Sequence, residues 1–100
     1  MHRIYHILVV EDDFNTNQVI CEFLKNSGYT VTAAFDGDAA IDCFFEHPYD
    51  LVILDIMLPR RTGMKILKEI RAVSNVPVMM LTALSDEYTQ IKSFDLQADE

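Results

Sequence analysis

The sequence predicts an α/β fold in which helices cover both faces of a parallel sheet. Four short runs rich in branched apolar residues alternate with four segments of helical periodicity, and the connections between them are short. Strand–helix alternation at this spacing is typical of a doubly wound parallel sheet. The third run, residues 51–54, is apolar at every position, which indicates a strand buried on both faces.

The elements follow in the order β-α-β-α-β-α-β-α. Strands are predicted over residues 4–10, 30–34, 51–55 and 78–82, and helices over residues 15–26, 39–46, 63–73 and 85–95. Gly28 is expected to stop the first helix, and residues 36–38 to form a turn before the second. Helical spacing of apolar residues identifies the first helix through Val19, Ile20, Phe23 and Leu24, and predicts that Ile41, Phe44 and Phe45 face the core from the second.

Composition narrows the possible functions. One hundred residues, half of them apolar, make one globular domain, and a net charge of −8 repels nucleic acid. The two cysteines, Cys21 and Cys43, have no metal-ligand spacing and are interpreted as buried thiols in a reducing compartment. No apolar run approaches the roughly 20 residues of a membrane span, so we expect a cytoplasmic protein without a membrane contact.

Acidic residues follow two of the predicted strands. Glu11 and Asp12 come directly after the first, and Asp55 ends the third. If the first and third strands are neighbours in the parallel sheet, their carboxyl ends lie only about 5 Å apart, and these carboxylates would form one cluster. Their repulsion calls for a cation, and Mg²⁺ suits a set of carboxylates that leaves room for a phosphate. We interpret Asp55 as a nucleophile for a phosphoryl group.

Two further polar residues lie near these strand ends. Thr82 ends the fourth predicted strand and is followed by the small Ala83, so its hydroxyl could donate to a phosphoryl oxygen. Asp13, by contrast, is interpreted as an acid that merely solvates a loop end.

Three motifs together resemble the response-regulator receiver domain of two-component signalling. They are Leu-Val-Val-Glu-Asp-Asp at residues 8–13, Leu-Val-Ile-Leu-Asp-Ile-Met-Leu-Pro at residues 51–59 with Gly63, and Val-Pro-Val-Met-Met-Leu-Thr-Ala at residues 76–83. The resemblance implies a flavodoxin-like fold with strand order 2-1-3-4. It also implies that Asp55 is the phospho-acceptor and Thr82 the switch hydroxyl. Glu11, Asp12, Asp55 and the backbone carbonyl of Met57 would hold Mg²⁺.

The resemblance also marks what this sequence lacks. Gln97 stands where the family usually has Gly, and the family's fifth strand, its lysine before a proline and its fifth helix would all follow residue 100. We therefore expect residues 1–100 to be a C-terminally incomplete receiver domain. A winged-helix DNA-binding output domain is expected in the full-length protein. With the fourth strand left as an apolar edge, we also expect a homodimer or a domain-swapped oligomer.

The function predicted from the resemblance is that of a signalling module, not of an enzyme. A sensor histidine kinase would transfer a phosphoryl group to Asp55 with Mg²⁺, and the added charge would switch a transcriptional output domain. One alternative is a phosphatase with an aspartyl nucleophile, but such enzymes usually carry a second Asp where this chain has Met57. The other is an interaction module that is never phosphorylated. The intact acids argue against it for the full-length protein, whereas the missing lysine makes it plausible for residues 1–100.

Overall fold

The computed structural model describes residues 4–58 and 62–81. Within them lie β1 (His6–Val10), α1 (Phe14–Asn26), β2 (Thr30–Ala34), α2 (Gly37–Glu46), β3 (Leu51–Asp55), α3 (Gly63–Arg71) and β4 (Val78–Leu81). The strands form one sheet in the order β2-β1-β3-β4, and all three neighbouring pairs are parallel. The predicted fold class and strand order are confirmed. Thr82 and the predicted helix over residues 85–95 lie outside the described residues.

Each of the three helices begins behind a capping side chain. Asp13, Asp36 and Thr62 accept a hydrogen bond from the backbone N–H three residues later. These caps explain why α1 starts one residue before its predicted boundary and α2 two residues before. The predicted turn at residues 36–38 is thus the first part of a helix. At the other end of α1, Gly28 has a φ of 99°, so the predicted glycine stop is confirmed.

The sheet separates two apolar clusters. Alternate residues of each strand point to opposite faces, as in Leu8 and Val9 of β1. The larger cluster lies between the sheet and helices α2 and α3, where Ile66 and Ile70 are buried. The smaller one lies under α1, around Cys21. Helices on both faces leave the strand ends as the place where polar side chains can gather.

Apolar spacing identifies the first two helices but not the side chains that they bury. Phe45 was expected in the core but is 59% exposed, and only its neighbour Phe44 packs against the larger cluster. On α1, Val19 and Phe23 are 68% and 69% exposed. Both helices carry apolar residues around more than half of their circumference, so spacing alone could not select the buried face.

The outer strands differ in how they are covered. Among the described residues, β4 pairs only with β3 and is one edge of the sheet. Its Met79 side chain is 37% exposed on the face that α1 covers elsewhere, while Val78 and Met80 are buried on the other. The self-association expected from this edge stays a prediction.

The start of α3 packs directly against the end of β3. The Gly63 N–H donates to the Ile56 carbonyl at 2.8 Å. A Cβ at Gly63 would overlap the Asp55 carbonyl oxygen and come within 2.7 Å of the Ile56 Cα. Because those atoms belong to backbone, the structure could not yield by turning a side chain. Gly63 therefore allows the start of α3 to approach the backbone of Asp55 and Ile56 closely.

We expect Gly63→Ala to lower the free energy of unfolding by about 1–3 kcal/mol, because the added methyl group forces two backbone segments apart. Urea denaturation followed by circular dichroism measures this loss. The matched control is Gly28→Asn, since Asn tolerates a positive φ and a Cβ there meets no atom within 4 Å. Equal losses in both variants would show that the close approach is not what requires Gly63.

Candidate functional site

Three carboxylates meet at the carboxyl edge of the sheet. One oxygen from each of Glu11, Asp12 and Asp55 lies within 4.8 Å of the other two. Glu11 and Asp55 are only 8% and 2% exposed, whereas Asp12 is exposed. The cluster opens into a cleft of about 680 Å³ that Thr16, Met57 and Leu81 also line. The sequence-predicted acid cluster is confirmed.

Asp55 is positioned by the central strand and the turn after it. In the parallel register it pairs with Leu81, and the next N–H, that of Ile56, donates to the Leu81 carbonyl at 2.9 Å. The Asp55 Oδ1 accepts the Met57 N–H at 3.1 Å. The carboxylate is therefore held in one orientation while it faces the cleft.

Burial perturbs both inner carboxyl groups. It raises the pKa of Glu11 to about 7, and the negative charge of Asp55 adds to that rise. The Asp13 N–H, which donates to the Glu11 Oε2 at 2.8 Å, opposes it. Burial likewise raises the pKa of Asp55, although the Met57 N–H and a hydrogen bond from Glu11 partly offset the effect. Without a cation, the pair lowers its repulsion by keeping a proton on Glu11.

The segment between β1 and α1 is held by more bonds than the sequence suggested. Asp13, which we interpreted as a solvated loop acid, is the α1 N-cap. Its Oδ2 accepts both the Thr16 N–H at 2.8 Å and the Thr16 hydroxyl at 2.6 Å, which lowers the pKa of Asp13. The Asp-x-x-Thr spacing is a recognisable capping signal. Asp13 thus anchors the helix that begins at the edge of the acid cluster.

One polar residue near the site was missed in the sequence. Asn17 is fully buried on α1, and its side-chain amide donates to the carbonyls of Glu11 and Ala34 at 3.0 and 3.2 Å. It precedes Cys21 and Leu24 by four and seven residues, so it belongs to the inward stripe of the helix. A polar residue among apolar residues at helical spacing is the sequence signal that could have identified Asn17 as a buried polar side chain.

The donor set fits a small divalent cation. All three side chains offer oxygen atoms, two of them are buried with raised pKa values, and the cleft leaves space for further ligands. A hard ion such as Mg²⁺ binds such carboxylates through one or two of them and keeps several waters. Of the two other residues predicted for the site, Met57 lines the cleft. Thr82 lies outside the described residues.

The two cysteines are free thiols. Cys21 is buried and Cys43 is half-buried, so the prediction of two buried thiols holds fully only for the first. Burial raises the pKa of each, which keeps both thiols protonated. None of the helices in the described part of the chain has the length and hydropathy that a membrane span requires.

Comparisons with known proteins give the chain a family. Residues 7–100 match the response regulator receiver domain. The chain is 47% identical over 94 residues to the regulatory protein VanRB of Enterococcus faecalis, and the match covers 94% of this chain but 43% of VanRB. The chain thus spans less than half the length of that relative.

Solved structures agree with the sequence matches. The response regulator TrrA of Thermotoga maritima, in complex with Mg²⁺-BeF, is similar with a TM-score of 0.82 and 38% identity, over 97% of this chain and 84% of TrrA. A second structure holds TrrA in complex with the histidine kinase ThkA. The comparison with that complex gives a TM-score of 0.77 and 38% identity, and it covers 83% of this chain and 72% of the matched chain. This chain belongs to the response regulator receiver domain family.

Proposed function

We propose that this chain accepts a phosphoryl group on Asp55 from the phosphohistidine of a sensor histidine kinase. The observation that carries the proposal is the position of Asp55, a carboxylate only 2% exposed that ends a central strand within 4.8 Å of two further acids. A buried carboxylate beside two other acids does not stabilise the folded protein unless a cation compensates its charge. The arrangement does supply a nucleophile beside a place for a compensating cation.

In the proposed reaction an Asp55 carboxylate oxygen attacks the phosphorus atom. The new P–O bond forms as the P–N bond to the kinase imidazole breaks, and the released imidazole nitrogen takes up a proton. The Met57 N–H holds the Asp55 Oδ1, so the carboxylate keeps one orientation towards the incoming group. Glu11 must be ionised in this state, because a proton shared with Asp55 would weaken the nucleophile.

Glu11, Asp12 and Asp55 would hold Mg²⁺, with the Met57 backbone carbonyl as a further ligand. When bound, the ion neutralises charge on the transferring phosphoryl group. The Thr82 hydroxyl would donate to a phosphoryl oxygen after transfer. The complex of TrrA with ThkA and the Mg²⁺ in the other TrrA structure support the kinase and the ion as partners.

The output of the proposed switch belongs to a longer protein. The match covers only 43% of VanRB and 42% of the transcriptional regulatory protein DltR of Streptococcus agalactiae, so we infer a DNA-binding output domain whose activity depends on phosphorylated Asp55. In this proposal the chain acts as a regulator in the cytoplasm and not as an enzyme. The two free thiols agree with a reducing compartment.

Magnesium binding tests the acid cluster. Titration with Mg²⁺ should shift the backbone amide signals of Glu11, Asp12 and Met57 before others. Glu11→Gln and Asp12→Asn should each weaken binding by at least about tenfold, because each removes a charged ligand. Asp36→Asn is the matched control, since Asn also caps a helix and Asp36 lies outside the cluster. Unchanged signals at millimolar Mg²⁺ in the wild type would refute the site.

The raised pKa of Glu11 predicts a pH dependence. At pH values below the Glu11 pKa of about 7, a proton on Glu11 competes with the cation. The affinity for Mg²⁺ should therefore rise about tenfold from pH 6 to pH 8. The raised pKa of Asp55 acts in the same direction. Isothermal titration calorimetry at both pH values measures the change. Glu11→Gln should flatten the profile, and an equally steep profile in that variant would assign the proton to another group.

Phosphorylation tests the nucleophile. Asp55→Asn should abolish labelling by a cognate kinase or by acetyl phosphate, because the amide is not nucleophilic. Asp13→Asn makes the same chemical change in the same cleft while preserving the helix cap, so it should still be labelled. Acid-stable label that persists in Asp55→Asn would place the phosphoryl group on a hydroxyl residue instead. Absence of label in every variant, with Mg²⁺ still bound, would favour an unphosphorylated interaction module.

A further inference from the structure

The side chain of Asn17 lies beneath the acid cluster without belonging to it. Its amide nitrogen is 3.0 Å from the Glu11 carbonyl oxygen, 3.2 Å from that of Ala34 and 3.5 Å from that of Val9. All three neighbours are acceptors, so the NH₂ group must face them. The Asn17 Oδ1 faces the other way and accepts the Cys21 thiol at 3.1 Å. The orientation of the amide is thereby fixed from both sides.

These contacts join the ends of two strands to one helix. Val9 lies in β1 and Glu11 follows its last residue, Ala34 ends β2, and Asn17 lies in the first turns of α1. The Glu11 N–H also donates to the Ala34 carbonyl at 3.1 Å, so that carbonyl would keep a partner without Asn17. Asn17 has no exposed surface, so water does not readily replace the bond that its amide donates to the Glu11 carbonyl.

The Glu11 carbonyl is the contact that reaches the site. It belongs to the peptide group that links Glu11 to Asp12, and the orientation of that planar group places the N and Cα atoms of Asp12, from which its side chain leaves the backbone. Asp12 is exposed, so packing does not fix it. The Asp13 N–H donates to the Glu11 carboxylate at 2.8 Å. The acid segment is therefore held both by Asn17, through the Glu11 carbonyl, and by its own backbone, through the Asp13 N–H.

We infer that Asn17 is a positioning residue for the metal site, which orients Glu11 and Asp12 through the peptide between them. This inference rests on the proposed function, because the site it positions is the proposed Mg²⁺ site. A purely structural amide would stabilise the contact of α1 with the sheet and leave metal affinity unchanged. The two roles differ in what a substitution does to Mg²⁺ binding in protein that is still folded.

The experiment compares Mg²⁺ dissociation constants of the wild type, Asn17→Ala and Ile20→Ala, at a temperature where denaturation curves show all three folded. Ile20 lies on the same helix and packs against the cluster around Cys21, but takes no part in the acid site. We expect Asn17→Ala to raise the dissociation constant roughly tenfold, as the loss of outer partners of metal ligands typically does. Ile20→Ala should lose stability without that change.

A rate measurement separates positioning from damage to the nucleophile. With acetyl phosphate as donor, Asn17→Ala should require roughly tenfold more Mg²⁺ for half-maximal labelling of Asp55. Its rate at saturating Mg²⁺ should stay within about twofold of wild type, because only binding of the ion is impaired. If Asn17→Ala does not fold, Asn17→Ser is used, whose hydroxyl can restore one of the two donated bonds and should give a smaller shift in the same direction.

Several outcomes would overturn the inference. Wild-type Mg²⁺ affinity in folded Asn17→Ala or Asn17→Ser would make Asn17 a structural residue only. An equal loss of affinity in Ile20→Ala would show that affinity follows stability and not the amide. Failure of the wild type itself to bind Mg²⁺ would overturn the proposed function, and the role of Asn17 with it.

Discussion

The placement of three carboxylates at one edge of the sheet is the constraint on which the rest of this structure depends. Glu11 and Asp55 are almost fully buried, and with Asp12 they lie within 4.8 Å of one another. Between the ordinary pKa of a glutamate and about 7, the folded chain holds a proton on Glu11 that the unfolded chain has released. As the pH rises through that window, the contribution of Glu11 to stability therefore falls. A bound cation would offset this cost and would thereby link the stability of the fold to occupation of the site.

The surrounding structure holds the acids in place despite their repulsion. Asp55 is fixed by the register of β3 with β4 and by the Met57 N–H. Gly63 brings α3 against the carbonyl of Asp55. On the other side of the site, Asp13 caps α1 while its own N–H binds Glu11. Rigid support of this kind is what a site needs if ion and phosphoryl group are to meet at defined positions.

The two apolar clusters and the cleft have different roles in this structure. The clusters on either face of the sheet provide the stability, and in the described part of the chain the only ionisable side chains among their buried members are the Cys21 thiol and the Tyr49 phenol. The carboxyl edge carries the charge, where a cleft of about 680 Å³ leaves the carboxylates accessible. Parallel sheets place ligands at this edge because the strand ends and the loops after them converge there. A change of charge on Asp55 would thus act at the carboxyl edge of the sheet and not inside either apolar cluster.

The amino-acid sequence by itself determined the class of the fold, the order of its elements and the membership of the acid cluster. Runs such as residues 51–54 have the local pattern of a strand buried on both faces, and acids that end neighbouring parallel strands meet at one edge of the sheet. Those inferences need no contact between distant residues. The resemblance of three motifs then supplied the strand order, which the structure confirms.

Only the tertiary structure decided which apolar faces are buried and what supports the site. Val19, Phe23 and Phe45 are as apolar as the residues of the core, yet each lies on the outer side of its helix. Asn17 is polar, yet it is fully buried, because carbonyls of two different strands supply its partners. The burial of a side chain depends on atoms that are remote in sequence and near only after folding. Local periodicity contains no record of those atoms, and so the residue that holds the acid segment through the Glu11 carbonyl could be found only in the folded chain.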